Sequence, residues 1–334
     1  MRTRDVSIDV LKGIGILFML SAHSLGGYVH SFAYSFHMPL FFIVSGYFYR
    51  NKGLKCCISD GFNRLLAPSL YTCLLMLVIS IVEDFCGLEG VKSPSQVMDM
   101  LVYANGSSAN YTKIWGNFAC IGSLWFLGCL FWAKIIYEIL HYLADFRHIA
   151  LLCFFLSVIA VIIGQYMVLP YSFLQGITVL PFLCIGECIK KVDTKQLKTE
   201  YFVFFFLLVV GWLFSTFYDV LNIAAFKWKW FVIPNILFAS AGVGVMYYLS
   251  RFIAKKPFVS KILAFIGEYS ILFVCFPVIE SYFIPLKQIV PSTSYQMAVI
   301  LMLKTLWAVM AVAIVVNSRK LRSIYGVAKP TFLK

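Results

Sequence analysis

Apolar runs long enough to cross a hydrocarbon layer recur along the chain, separated by short polar or basic breaks, and predict about ten transmembrane helices. They cover residues 10–29, 31–49, 67–86, 121–141, 149–168, 171–189, 201–218, 231–250, 265–286 and 295–316. The short sixth run and the proline in the ninth predict tilted or broken helices there. The expected fold class is all-α, a polytopic transmembrane helical bundle forming one integral membrane domain over residues 1–334. No soluble second domain, heptad array or internal repeat is visible.

The first two runs carry polar residues where hydrocarbon makes them costly: Lys12, His23, His37 and Ser45. Drawn as a helix, Val10 to Val29 puts Lys12 and His23 on one side, about 16 Å apart along the axis. With Lys12 at the membrane edge, His23 is expected near or just past the middle of a layer about 30 Å thick. The second run returns across the bilayer and brings His37 to a similar depth, about 9 Å from its far end. Ionisable residues in such positions are functional-site candidates, because helices that only pack have no reason to bear the desolvation.

Composition agrees with the pattern: 61% of the 334 residues are hydrophobic and 13% charged, which excludes a soluble globule with a polar surface. The formal net charge of +13 does not indicate nucleic acid, since the basic residues form short clusters between apolar runs rather than a stripe. They read as topology signals. With the N-terminus inside, inner segments hold 20 of the 28 Lys and Arg residues and outer loops 5, so both termini are expected in the cytoplasm. The apolar start continues into a full span without a small-residue cleavage site, so no cleavable signal peptide is expected.

The ten cysteines read as small packing residues, and no Cys/His spacing suggests a metal site. Cys56 and Cys57 fall in an expected cytoplasmic loop and stay reduced; Cys86 and Cys120 flank the longest outer loop, where pairing is open but not expected. That loop, about Gly87 to Cys120, holds two sequons at Asn105 and Asn110 and is placed to cover an outward-facing pocket. The basic tail after Asn317 suits anionic headgroups. Apolar outer faces suit membrane lipids and a second copy of the chain equally.

The string Ile8-Asp9-Val10-Leu11-Lys12-Gly13, the ten residues between Lys12 and His23, and the segment Phe36-His37-Met38-Pro39-Leu40-Phe41-Phe42-Ile43-Val44-Ser45-Gly46 together resemble acyltransferase family 3. The resemblance is greatest to its fucose 4-O-acetylase-like branch. It continues more faintly through Arg64-Leu65-Leu66-Ala67-Pro68, Leu124-Trp125-Phe126-Leu127, Pro181-Phe182-Leu183-Cys184-Ile185-Gly186 and Gly267-Glu268-Tyr269-Ser270. Many relatives carry a histidine shortly before a proline in the penultimate helix. This chain has Cys275-Phe276-Pro277 there, which points to a different acceptor. It also ends without the SGNH hydrolase-like domain of longer members, so transfer is expected to finish within the membrane domain.

The resemblance implies a multi-pass protein of the inner (plasma) membrane. It would move an acyl group, acetyl foremost, from cytoplasmic acyl-CoA to a hydroxyl of a cell-envelope glycan or lipid-linked sugar. Acyl-CoA, with acetyl-CoA first, is then the donor substrate, and no metal is implied. A sugar hydroxyl is a poor nucleophile until a base takes its proton, and imidazole suits that near neutral pH. His23 is the expected base. Lys12 and Arg64 are the expected cations for the CoA phosphates. Asp9, three residues before Lys12 on one helix face, is placed to hold the lysine, and His37, Ser45 and Trp125 are expected on the acceptor side.

Each has a plainer reading. Lys12 then reads as a snorkelling anchor, His23 as a packing histidine, His37 as a support for the turn before Pro39, and Ser45-Gly46 as a close helix contact. Arg64 then is a positive-inside charge and Trp125 an interface anchor. The competing function is a transporter or flippase for a glycan-related solute. It calls for paired discontinuous helices or a buried acidic coupling site, and neither is visible in the sequence.

Overall fold

The computed structural model describes residues 5–87, 92–104, 106–107, 111–112, 116–117, 120–192, 199–218, 221–228, 232–284, 286–293 and 295–329. The basic residues Arg2, Arg4, Lys113, Lys195, Lys198, Lys229 and Lys334, and the sequon residues Asn105 and Asn110, lie outside them. The fold is all-α. In chain order the helices are α1 Val6–Leu25, α2 Gly27–Tyr34, α3 His37–Tyr47, α4 Leu54–Gly61, α5 Ala67–Phe85, α6 Pro94–Tyr103, α7 Trp125–Leu143, α8 Phe146–Gly164 and α9 Phe173–Thr178. They continue with α10 Leu180–Lys191, α11 Thr199–Tyr218, α12 Val232–Ala254, α13 Pro257–Glu268, α14 Ser270–Phe283, α15 Leu286–Ile289, α16 Gln296–Asn317 and α17 Arg319–Ile324. Among the described residues the only strand ladder is a two-residue antiparallel pairing of Tyr111–Thr112 with Gly116–Asn117.

Each predicted run has a helical counterpart, but not all are continuous spans. Among the described residues six helices are long and apolar enough to cross a membrane: Val6–Leu25, Leu54–Phe85, Gly122–Leu143, Phe146–Gly164, Val232–Ala254 and Gln296–Asn317. Two interrupted pairs, α9 with α10 and α13 with α14, bring the number to eight. The run at 31–49 is split by Ser35 and Phe36 into α2 and α3, and the ninth span starts at Pro257 and breaks at Tyr269.

Contacts divide the chain into two units. The first comprises the segment ending at Asn51 with Ile139–Val161 and Ile177–Ser270; the second comprises Lys52–Glu138, Ile162–Gly176 and the segment from Ile271 onward. Each is described by itself.

In the first unit α1 begins four residues before the apolar run, because Asp5 caps it: its carboxylate accepts the Ser7 amide at 2.9 Å and the Ser7 hydroxyl at 2.6 Å. Gly26 and Gly27, at φ 67° and 53°, end α1 and turn the chain into α2, a conformation that a side chain would strain. Two crossings without side chains then lock the histidine-bearing helices. A Cβ on Gly13 would run into the Leu263 carbonyl of α13, and one on Gly267 into the Asp9 carbonyl of α1. Likewise a Cβ on Gly46 would meet the Leu183 carbonyl of α10, and one on Gly186 the Ile43 carbonyl of α3. Backbones this close gain dispersion and weak Cα–H hydrogen bonds where lipid supplies no hydrophobic drive.

In the second unit the helix from Leu54 to Phe85 contains a π-turn at Phe62–Leu66, where the Ala67 amide bonds to the Phe62 carbonyl. Pro68, just beyond, lacks the amide that would close on the Arg64 carbonyl, which fits a helix loosened at that point. Glu138 of α7 caps the start of α4, accepting the amides of Lys52 at 3.2 Å and Gly53 at 2.8 Å. Lys52 also pairs with Asp60 at 2.8 Å, and the hydrogen bond to that carboxylate raises the lysine's pKa. Cys86 and Cys120 are free thiols, and Cys120 donates to the Gly106 carbonyl at 3.4 Å.

Glu280 of α14 is 2% exposed and pairs with Lys304 of α16 at 3.2 Å. Lys304→Met leaves that carboxylate buried without compensation and is expected to cost about 3–5 kcal/mol. Adding Glu280→Leu restores most of the loss. Melting of the purified variants checks this, and an unchanged single variant would show that the pair carries no stability.

Candidate active site

The seven residues that the sequence singles out fall in both units. Asp9 is buried, and its carboxylate takes the Lys12 ammonium at 2.8 Å, as their spacing predicts. Because Gly267 packs on the Asp9 carbonyl, the α1–α13 crossing also fixes this pair. Lys12 therefore points where Asp9 holds it, with its charge partly neutralised.

His23 differs from its expected place. With α1 running from Val6 to Leu25, it sits in the last turn, three residues before Gly26, and its side chain is exposed. Gly26 ends the helix at Leu25, four residues short of the predicted end of the run at Val29, so His23 falls in the last turn. His37 is the buried one, at 2% exposure.

The first turn of α3 holds His37 tightly. Its Nδ1 lies 2.7 Å from the Ala33 carbonyl, so Nδ1–H donates and the neutral ring leaves Nε2 as the acceptor. That bond satisfies a carbonyl at the end of α2 across the Ser35–Phe36 break. The break itself is set by aromatic packing. Phe18 of α1 lies against Phe32 and Phe36, with ring centroids 5.5 and 5.2 Å away. Trp212 of α11 donates its indole N–H to the Ser35 hydroxyl at 2.8 Å.

Two residues missing from the sequence reading complete the cluster. Tyr34 stacks on His30 with centroids 4.1 Å apart, meets His37 edge-on at 5.0 Å and His23 edge-on at 6.2 Å. Three of the chain's five histidines thus surround one tyrosine. The signal was present as a spacing: His23, His30 and His37 recur every seven residues, hidden by a helix that was drawn unbroken through Gly26. Among the described residues no three His, Cys, Asp or Glu side chains are grouped as metal ligands.

Ser45 is half-buried on α3, beside the Gly46 crossing. Arg64 and Trp125 belong to the second unit. Arg64 is exposed in the π-turn, and Trp125 is buried at the start of α7. Cys275, where relatives often carry histidine, is fully buried in α14.

A second polar group lies elsewhere in the first unit. His141 Nε2 is 2.9 Å from Glu187, whose other oxygen takes Lys191 at 2.7 Å, and Tyr49 stacks on the His141 ring at 4.6 Å. It joins the last turn of α7 to α10 and to the segment after α3, and the sequence reading made no use of it.

Neither the curated proteins nor the solved structures contain a match to the chain. Residues 5–317, nearly the whole length, match the family described as an acyltransferase domain. The histidine cluster, the Lys12–Asp9 pair and the two glycine crossings all lie within the matched region. The chain belongs to acyltransferase family 3 and is a multi-pass membrane acyltransferase.

Proposed function

We propose that the protein transfers an acyl group, acetyl foremost, from acyl-CoA to a hydroxyl of a cell-envelope glycan or lipid-linked sugar in the inner membrane. The observation that supports this most is the histidine cluster, in which a buried, hydrogen-bonded His37 and an open His23 flank Tyr34. An exposed imidazole on a rigid helix is suited to meet a hydroxyl, and a fixed neighbour is suited to orient it.

In this reading His23 takes the proton of the acceptor hydroxyl as its oxygen attacks the thioester carbonyl. The carbon–oxygen ester bond forms, the carbon–sulfur bond breaks, and the imidazolium returns the proton to the departing thiolate. His37, Ser45 and Tyr34 serve the acceptor side. Lys12, positioned by Asp9, attracts the donor phosphates on the side that the basic residues assign to the cytoplasm.

A transporter or flippase is the second reading, and one observation favours it: the spans at 170–191 and 257–283 are interrupted, a feature of transport folds. Among the described residues four acidic residues are buried in helices: Asp9, Glu187 and Glu280 are each paired with a lysine, and Glu138 accepts two backbone amides, which leaves none as an open coupling site. Purified protein supplied with acetyl-CoA separates the two. Thiol release that requires an envelope glycan is the expected result; solute movement without any acceptor-dependent thiol release would establish transport instead.

A further inference from the structure

The first unit holds a small polar cleft beside the break between α2 and α3. It is lined by Ser35 at the end of α2, Ser215 of α11, Leu221, and Asn235 and Ala239 of α12. The space is about 230 Å³ with its mouth included, and its inner part admits one water-sized group.

Trp212 fixes two of the lining groups. Its indole N–H donates to the Ser35 hydroxyl oxygen at 2.8 Å, and its carbonyl accepts the Ser215 hydroxyl at 2.7 Å. The ring lies directly on the backbone of α12, where a Cβ on Gly242 would meet it at 2.5 Å; Phe238 of α12 lies in the same way over Gly211 of α11. Ser35 donates its own proton to the Phe32 carbonyl at 2.7 Å. Both serine protons are thus spent inside the protein, and what the serines have left is acceptor capacity. Asn235 brings a carboxamide, which donates as well as accepts. With no charged lining residue, the cleft has nothing to balance a phosphate or carboxylate. A neutral hydroxyl suits it, donating to a serine oxygen and accepting from the carboxamide, with Leu221 and Ala239 against the carbon skeleton that carries it.

Leu221 leads into a tight hairpin in which Asn222 and Lys227 exchange backbone hydrogen bonds at 3.2 and 3.0 Å, and Ile223, Ala224 and Phe226 are buried. Phe226 stands at φ 51°, a strained conformation for a bulky residue and of the kind that collects at ligand clamps. Tyr28 of α2 meets Phe217 of α11 with ring centroids 6.0 Å apart, so the cleft lies at the same end of the unit as His23. Tyr34, which meets His23 and His37, directly precedes Ser35. Successive helix residues point about 100° apart, so the cleft and the histidine cluster flank one helix end. A group seated in the cleft is therefore not the one that reacts.

We infer that the cleft is an acceptor subsite, which takes a neutral hydroxyl of the acceptor other than the one acylated and so helps to select the sugar presented to His23. The inference rests on the glycan reading above and adds the residues that would recognise the sugar, Ser215 and Asn235.

The test uses the full chain in detergent with acetyl-CoA and envelope glycan, scored by thiol release. Ser215→Ala removes one acceptor oxygen and leaves the backbone bonds of α11 in place. Asn235→Leu keeps the volume and removes the carboxamide, and melting curves report folding. Each variant is expected to raise the KM for glycan about tenfold, the order of one hydrogen bond. The kcat and the KM for acetyl-CoA stay unchanged, as when binding is lost equally from ground and transition states. An unchanged glycan KM in folded Ser215→Ala would overturn the subsite while the acyl-transfer reading stands. A lowered melting temperature with unchanged KM would show that the cleft holds a structural water only, and a fall in kcat alone would make it a support for the α2–α3 break; either overturns the proposal. Wild-type protein without glycan-dependent thiol release would overturn both the subsite and the reading beneath it.

Discussion

Gly13→Ala is expected to abolish folded protein, whereas Gly15→Ala, two residues along the same helix, leaves it folded. The difference comes from what each new methyl group meets. At position 13 it overlaps the Leu263 carbonyl, a backbone group that moves only if α13 moves. At position 15 it touches the edge of the Phe41 ring at 3.2 Å, and a side chain yields by a few tenths of an ångström. Ordinary overpacking costs about 1–3 kcal/mol, and displacing a helix backbone belongs at or above the top of that range. Domain stabilities of about 5–15 kcal/mol leave little margin for that. Gly15→Ala also gains about 1 kcal/mol of helix propensity, which offsets its small clash. Yield and melting temperature in detergent check the pair. Equal behaviour of the two variants would show that α1 and α13 do not approach as described.

His23→Gln carries the second large effect. Acyl transfer is expected to fall by about 10²–10⁴-fold, the usual contribution of a positioned base, with little change in melting temperature because the side chain is exposed. His37→Gln is the informative contrast. It loses the bond to the Ala33 carbonyl that closes the α2–α3 break, so it is expected to lower stability as well as rate. Rates and melting curves measured on both variants distinguish a reacting imidazole from a structural one. A full rate in His23→Gln would remove that residue from the chemistry.

Much of this arrangement was legible beforehand, for physical reasons that particular residues show. Helix positions follow from apolar length, and the Asp9–Lys12 pair follows from a three-residue spacing on one helix face. The place of His23 in the last turn of α1 was not foreseen, because Gly26 ends the helix at Leu25 while the apolar run continues to Val29. Tyr34 and His30 stayed hidden because their meeting with His23 and His37 depends on two breaks, at Gly26 and at Ser35–Phe36. Long-range packing sets the second of these through Trp212, which is 177 residues away along the chain.

The motif glycines are instructive in another way. Gly13, Gly46, Gly186 and Gly267 all belong to strings that carried the resemblance, and all four sit where helices touch backbone to backbone. They act by letting helices approach, and so hold in place the residues proposed to react. No pattern of hydrophobic and polar positions reveals which glycine faces which, since the partners are distant in sequence.

Chemical rescue tests the role of His23 most directly. The purified His23→Gly variant, given acetyl-CoA, glycan acceptor and increasing free imidazole, is expected to recover acceptor-dependent thiol release in proportion to the imidazole supplied, as a base restored to an open site. Full release without imidazole, or inactivity that imidazole does not relieve in a variant melting like the wild type, would contradict the assignment.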